Sequence, residues 1–179
     1  MIQLPIVPEG ALASAPFGAP LITIVVEGAI PGPQGSKKAR PIYKGRGADR
    51  TFTGRTVVEE SSKKVKPWRQ AVQVAATEAS ILATVARDLI EWEPLDGPLV
   101  AEFCFSLPRG KTVKRAHPTT YPDLSKLIRS TEDALTAAAI YADDARIVRY
   151  HDPRKVYVGA DDPDALSQPG AVIRIWELA

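Results

Sequence analysis

Apolar positions change their period along this chain, and each change marks an element. LITIVVEG (21–28) is short and β-branched, the composition of a buried strand. Over 61–90 the repeat lengthens to three and four residues. Trp68, Val72, Ala75, Ala79, Leu82, Ala86 and Leu89 then share one helical face. Pro67 suits the first turn, where its missing N–H costs nothing. EPLDGP interrupts the chain, and LVAEFCFSL (99–107) is apolar enough for a central strand. A second helical pattern covers 123–138, with Leu124, Leu127, Ile128, Thr131, Ala134, Leu135 and Ala138 on its core side. ARIVRYHDPRKVYV (145–158) predicts a third strand bent at Pro153, and AVIRIWEL (171–178) a last one.

The order β-α-β-α-β-β implies an α/β (α+β) fold. One small domain carries a mixed four-stranded sheet packed against two main helices. Residues 1–20 are rich in Pro, Ala and Gly without periodicity, so they are expected to form a flexible lead-in to a domain over 21–179. Pro, Gly and basic residues make 29–60 a long basic surface loop. DDPD (161–164) has the composition of a solvated turn, while Trp68 and Trp176 fall on core faces.

Charge alters this picture by its distribution. Between Gly35 and Gln70 stand eleven basic residues against three acidic ones, so this stretch carries about +8 in a chain of net charge +2. A basic segment beside an acidic remainder suits a polyanion contact next to a cation site. Lys37, Lys38, Arg40, Lys44 and Arg46 lie without a packing pattern and suit phosphate contact. Lys63, Lys64, Lys66 and Arg69 extend the set, and Tyr43 and Phe52 are candidates for stacking on opened bases. The single cysteine, Cys104, excludes an internal disulfide and a Cys-rich zinc site, and its apolar run makes it a core thiol. His117 and His151 lack metal-ligand spacing. No run is apolar enough to span a membrane, and the N-terminus is a poor signal peptide, so the cytoplasm is the expected location.

The second helix concentrates the chemistry. Ser125, Arg129, Glu132 and Thr136 cluster on the wheel opposite its core face, flanked by Lys126 and Asp133. Asp123 stands at the helix start, where a carboxylate accepts from free N–H groups. Ordinary capping and surface ion pairs account for these residues taken alone. A second acidic pair, Asp143–Asp144, precedes the next strand, where one of the two can turn back towards Asp123. Such a pairing suits a hard, oxygen-binding ion such as Mg²⁺.

PDLSKLIRSTEDALT…IYADDARIV resembles the signature of the RusA-type Holliday junction resolvases, crossover junction endodeoxyribonucleases common in phages and prophages. PQGSKKARP, KPWRQAV and GPLVAEFCFSLPR are similar to further family segments, so the resemblance covers about 21–178. Asp123 matches the first family Asp, Arg129 the basic residue (usually lysine), and Asp144 the later catalytic Asp. Ser125 stands where the family carries a second Asp. The resemblance implies a homodimer that uses Mg²⁺ or Mn²⁺, without a small-molecule cofactor, to cut four-way or related branched DNA in a bacterial host cell. Asp123 and Asp144 are then metal ligands and Arg129 the electrostatic partner. Glu132 is expected to replace the missing carboxylate, with Asp143 and Ser125 in the same ligand set. Ser125 also favours an alternative, a protein that binds branched DNA and cuts it poorly.

Overall fold

The computed structural model describes residues 17–35, 37–60 and 64–178. Its elements are β1 (Ile22–Glu27), β2 (Lys37–Lys44), β3 (Thr51–Glu60), α1 (Val65–Ala86), β4 (Leu99–Leu107), α2 (Leu124–Ala137), β5 (Ile147–Tyr150), β6 (Arg154–Tyr157) and β7 (Gly170–Glu177). The fold is a small α+β domain with two helices on a mixed sheet, as the order of patterns predicts. β4 is buried along its whole length because it sits inside the sheet. On one side it pairs antiparallel with β7, which pairs antiparallel with β1. On the other it pairs parallel with both β5 and β6.

Alternation along β4 divides the interior into two. Leu99, Ala101, Phe103 and Phe105 join Ile24 and Ile173 in the main core, against Trp68 and Val72 of α1 and Leu127 and Leu135 of α2. Cys104 enters a smaller cluster on the opposite face with Val156 and Val172. Trp68 and Trp176 are buried as expected. The indole N–H of Trp176 donates to Gly18 O at 3.0 Å, and Phe17 and His151 pack against its ring, so residues 17–18 lie on the domain. Residues 1–16, the bulk of the expected lead-in, lie outside the described residues.

Three expectations need correction. The third strand is two strands, giving a five-stranded sheet in place of the expected four. Asp152 takes a positive φ of 39° and Pro153 lacks an N–H, so the ladder breaks between Tyr150 and Arg154. The loop over 29–60 contains an antiparallel hairpin of β2 and β3, with Tyr43 opposite Phe52 and a register shift after Pro41. TFTGRTVV after GRGAD is a β-branched run beyond a Gly-rich turn, a strand signal that the basic charge overshadows. The apolar face of α1 is shorter than its periodicity suggests. Val72 and Ala76 are buried, whereas Leu82 and Val85 are exposed, and Leu89 is exposed beyond the end of the helix at Ala86. Among the described residues no helix is long and apolar enough to cross a membrane.

Candidate active site

Hydrogen bonds from α1 and from the segment after β1 fix α2 against its surroundings. The indole N–H of Trp68 donates to Thr131 Oγ1 at 3.0 Å, tying α1 to α2. Ser130 Oγ donates to Gly32 O at 2.5 Å, and Gln34 N donates to Lys126 O at 2.9 Å. The segment after β1 can lie this close only because Gly32 lacks a side chain. A Cβ there would come within 2.3 Å of Lys64 O.

Asp123 occupies the N-cap position of α2 with extended ψ of 135°, but its side chain makes no capping hydrogen bond. Its carboxylate instead meets Lys126 Nζ at 3.0 Å, with both side chains about half exposed. The capping account of Asp123 therefore holds for its position and not for its carboxylate. The backbone leading into Asp123 is held from the sheet. Lys155 Nζ donates to Thr120 O at 3.0 Å and to Pro122 O at 2.8 Å. Alternation along β6 sends Lys155 towards this loop while its neighbour Arg154 faces the other side.

The second acidic pair divides its work. Asp143 Oδ1 accepts from Ala145 N at 2.9 Å and so caps the short turn that follows, while Asp144 is exposed. Glu132 departs from the wheel. It was expected beside Ser125 and Arg129 on the open face, and those two are exposed, but Glu132 is buried at 7% exposure. The stripe passes beneath Tyr150 and Tyr141 in the second half of the helix. Tyr150 OH donates to Glu132 Oε1 at 2.7 Å, and Tyr141 OH donates to Glu132 O at 3.1 Å. Burial raises the Glu132 carboxyl above its ordinary range; the Tyr150 hydroxyl opposes this and the nearby charge of Asp144 adds to it. Asp144 and Glu132 thus feel each other electrostatically, with Arg129 also in range.

No three of Asp123, Glu132, Asp143 and Asp144 bring ligand atoms within 4.8 Å of one another. The trio that does so among the described residues is Cys104, Asp162 and Asp164, on the opposite face of the sheet. Arginines already occupy those carboxylates. Arg154 donates to Asp162 Oδ2 at 2.9 Å, Asp164 Oδ2 at 2.6 Å and Glu102 Oε1 at 2.8 Å. Arg174 donates to Glu102 Oε2 at 3.0 Å and also to Asp164 Oδ1. Burial pushes the Cys104 thiol up to about 12, so it stays protonated. This is a structural ion-pair network. It corrects the reading of DDPD as a solvated turn, since Asp164 is buried at 5% exposure. Its partners Glu102 and Arg174 face each other across β4 and β7, a pairing set by register and invisible in local sequence.

The basic residues fall in two groups. Arg40, Lys44 and Arg46 are exposed on the hairpin, and Lys64 and Lys66 are exposed at the start of α1. Arg69 is half-buried and pairs with Asp133, which also accepts from Gln34 Nε2 at 3.4 Å. That bond ties α1 to α2, giving Arg69 a structural task besides any contact with DNA. Lys63 and the side chains of Lys37 and Lys38 lie outside the described residues. Arg50 stacks over Tyr43, whose ring stands 5.8 Å from that of Phe52, so the hairpin presents an aromatic and cationic tip.

The family model of endodeoxyribonuclease RusA matches residues 36–165. The chain belongs to the RusA family. The RusA match runs from β2 through β6 and includes Asp123, Asp144 and the hairpin. Membership in RusA makes this chain one of a family of DNA endonucleases. No curated protein matches it. Two residues that hold the candidate site have no local signal in the sequence, Tyr150 and Lys155. Both act through atoms contributed by distant segments.

Proposed function

We propose that this RusA-family chain is a metal-dependent endonuclease that resolves four-way or related branched DNA by phosphodiester hydrolysis, as a homodimer. The observation that carries the proposal is that the turn opening with Asp143 and Asp144 packs onto α2, the helix that begins at Asp123 and carries Glu132. Asp123, Asp144 and Glu132 offer only carboxylate oxygens, the donor chemistry that Mg²⁺ or Mn²⁺ takes, and a shared ion would have to draw together ligand atoms that stand apart in this structure. A bound divalent ion would supply Lewis-acid neutralisation of the scissile phosphate. Asp123 and Asp144 would hold it, with Glu132 beneath as third carboxylate and Tyr150 orienting Glu132. Exposed Arg129 stabilises charge developing on the phosphate, and its permanent charge makes it a poor proton donor. Hairpin cations, with Lys64 and Lys66, hold the DNA arms. A row of exposed apolar side chains on α1, Val74, Ile81 and Val85, supports a second copy as partner.

The test is cleavage of a synthetic four-way junction and of linear duplex in Mg²⁺, Mn²⁺ or EDTA. Asp123→Asn and Asp144→Asn should each abolish junction cleavage and preserve junction binding. Metal-independent cleavage, or full activity in both variants, rejects the proposal. Ser125, exposed where a carboxylate is expected, favours a second reading of junction binding with little cleavage. Wild-type binding without cutting in either metal would establish it.

A further inference from the structure

Beside Asp123 lies a cavity of about 160 Å³. Five prolines, Tyr121, Tyr157 and Lys64 contribute to its wall, and no carboxylate does. This is smaller than the roughly 300 Å³ at which drug-sized pockets begin, and leaves room for one ring system. Tyr157 is buried in the wall with the Arg109 guanidinium 5.0 Å from its ring centroid. Tyr121 stands at the lip, 65% exposed and two residues before Asp123. The same lip contains Thr120 and Pro122, whose carbonyls Lys155 holds. Flat apolar walls, an available tyrosine and a cationic rim are the features that bind single-stranded nucleic acid, by stacking on the base and attraction for its phosphate.

We infer that this cavity receives one unstacked nucleobase of the strand whose phosphate lies at Asp123. The inference rests on the nuclease reading for the placement of that phosphate. A strand entering along Lys64 and Arg109 meets no like charge in the wall, and a base neighbouring the scissile phosphate faces the cavity mouth. The exchange point of a branched junction is where a base leaves its stack at least cost. The cavity thereby couples cutting to strand distortion, and branched DNA is favoured over duplex.

The test combines single abasic sites with changes to the lip, using the full chain. Junctions carry one abasic nucleotide at each position flanking the cut. Affinity is measured in EDTA and cleavage in Mg²⁺. In wild type, one abasic position should cost about tenfold in affinity, within the range of a lost aromatic stack. Tyr121→Ala should cost about the same on the intact junction and nothing more on that abasic one, while Tyr121→Trp restores the difference. Thr120→Trp, which plugs the mouth, should show the same insensitivity. Additive losses at every position in both variants would overturn the inference. Cleavage by wild type with additive losses leaves the nuclease reading standing without the pocket. Coupled losses in EDTA without cleavage in any metal leave the pocket standing without the nuclease.

Discussion

Two side chains without sequence signal set the geometry around the candidate carboxylates. Lys155 reaches from β6 to the carbonyls of Thr120 and Pro122, immediately before Asp123. Hydrogen bonds from a charged donor contribute about 2 kcal/mol each, enough to hold a short loop in one arrangement. Lys155→Met should therefore lower kcat for junction cleavage by about tenfold and leave junction affinity within about twofold. A matching loss of affinity would assign Lys155 to DNA contact instead. Glu132 is buried beneath Tyr150, so its charge is costly unless something opposes it. Glu132→Gln keeps the Tyr150 contact and removes the charge. Its cleavage rate should fall at least tenfold while thermal stability at pH 7 rises, since the costly buried charge is gone, and a wild-type rate would remove Glu132 from the site. Ser125→Asp, on an exposed position, should raise metal affinity in titration calorimetry.

Among the elements, the network of Glu102, Arg154, Asp162, Asp164 and Arg174 joins β4, β6 and β7 on the face away from the helices. Burial alone would raise the Asp164 carboxyl, but Arg174 and Arg154 outweigh it and hold the group below its ordinary range. Stability from Asp164 is therefore fully present above the ordinary carboxylate value and is lost as pH falls through the lower folded value. Asp164→Asn should cost about 2 kcal/mol at pH 7, because it weakens charge-assisted hydrogen bonds from Arg174 and Arg154, which keep Glu102 and Asp162 as counter-charges. Its thermal unfolding should also vary less between pH 5 and pH 2 than that of wild type. In the proposed function the hairpin meets DNA at its tip. Lys44 and Arg46 are exposed there, and each phosphate contact contributes about 0.9 to the slope of log affinity against log salt. The double change Lys44→Ala/Arg46→Ala should flatten that slope by about 2, and an unchanged slope would place DNA elsewhere.

For the whole molecule, the proposed homodimer rests on the exposed row on α1. Val74 is 55% exposed, Ile81 58% and Val85 74%, on a helix whose other face is in the core. A homodimer that buries this row would place two sites on a two-fold axis, matching a junction with paired cuts. Ile81→Glu/Val85→Glu should convert a sedimenting dimer to monomer and reduce paired cleavage to independent nicks. Persistence of the dimer would move the interface off α1.

Period and composition determined the helices, the strands within 21–28, 99–107 and 171–178 (the first of them buried only at alternate positions), both core tryptophans, and the basic segment, since each is a local property of side-chain spacing. The family match is legible for the same reason: the segments that carry the resemblance, around Asp123, Arg129 and Asp144, lie close in sequence around one helix and one turn. What the fold alone decided depends on which segments come to lie together. Glu132 shares its helical stripe with Ser125 and Arg129, yet only Glu132 is covered, because β5 brings Tyr150 over that end of α2. DDPD has the composition of a solvated turn, yet Asp164 is buried, because strand register sets Arg174 and Arg154 against it. Charge and polarity are written in the residue, but burial and partnership are written in the packing.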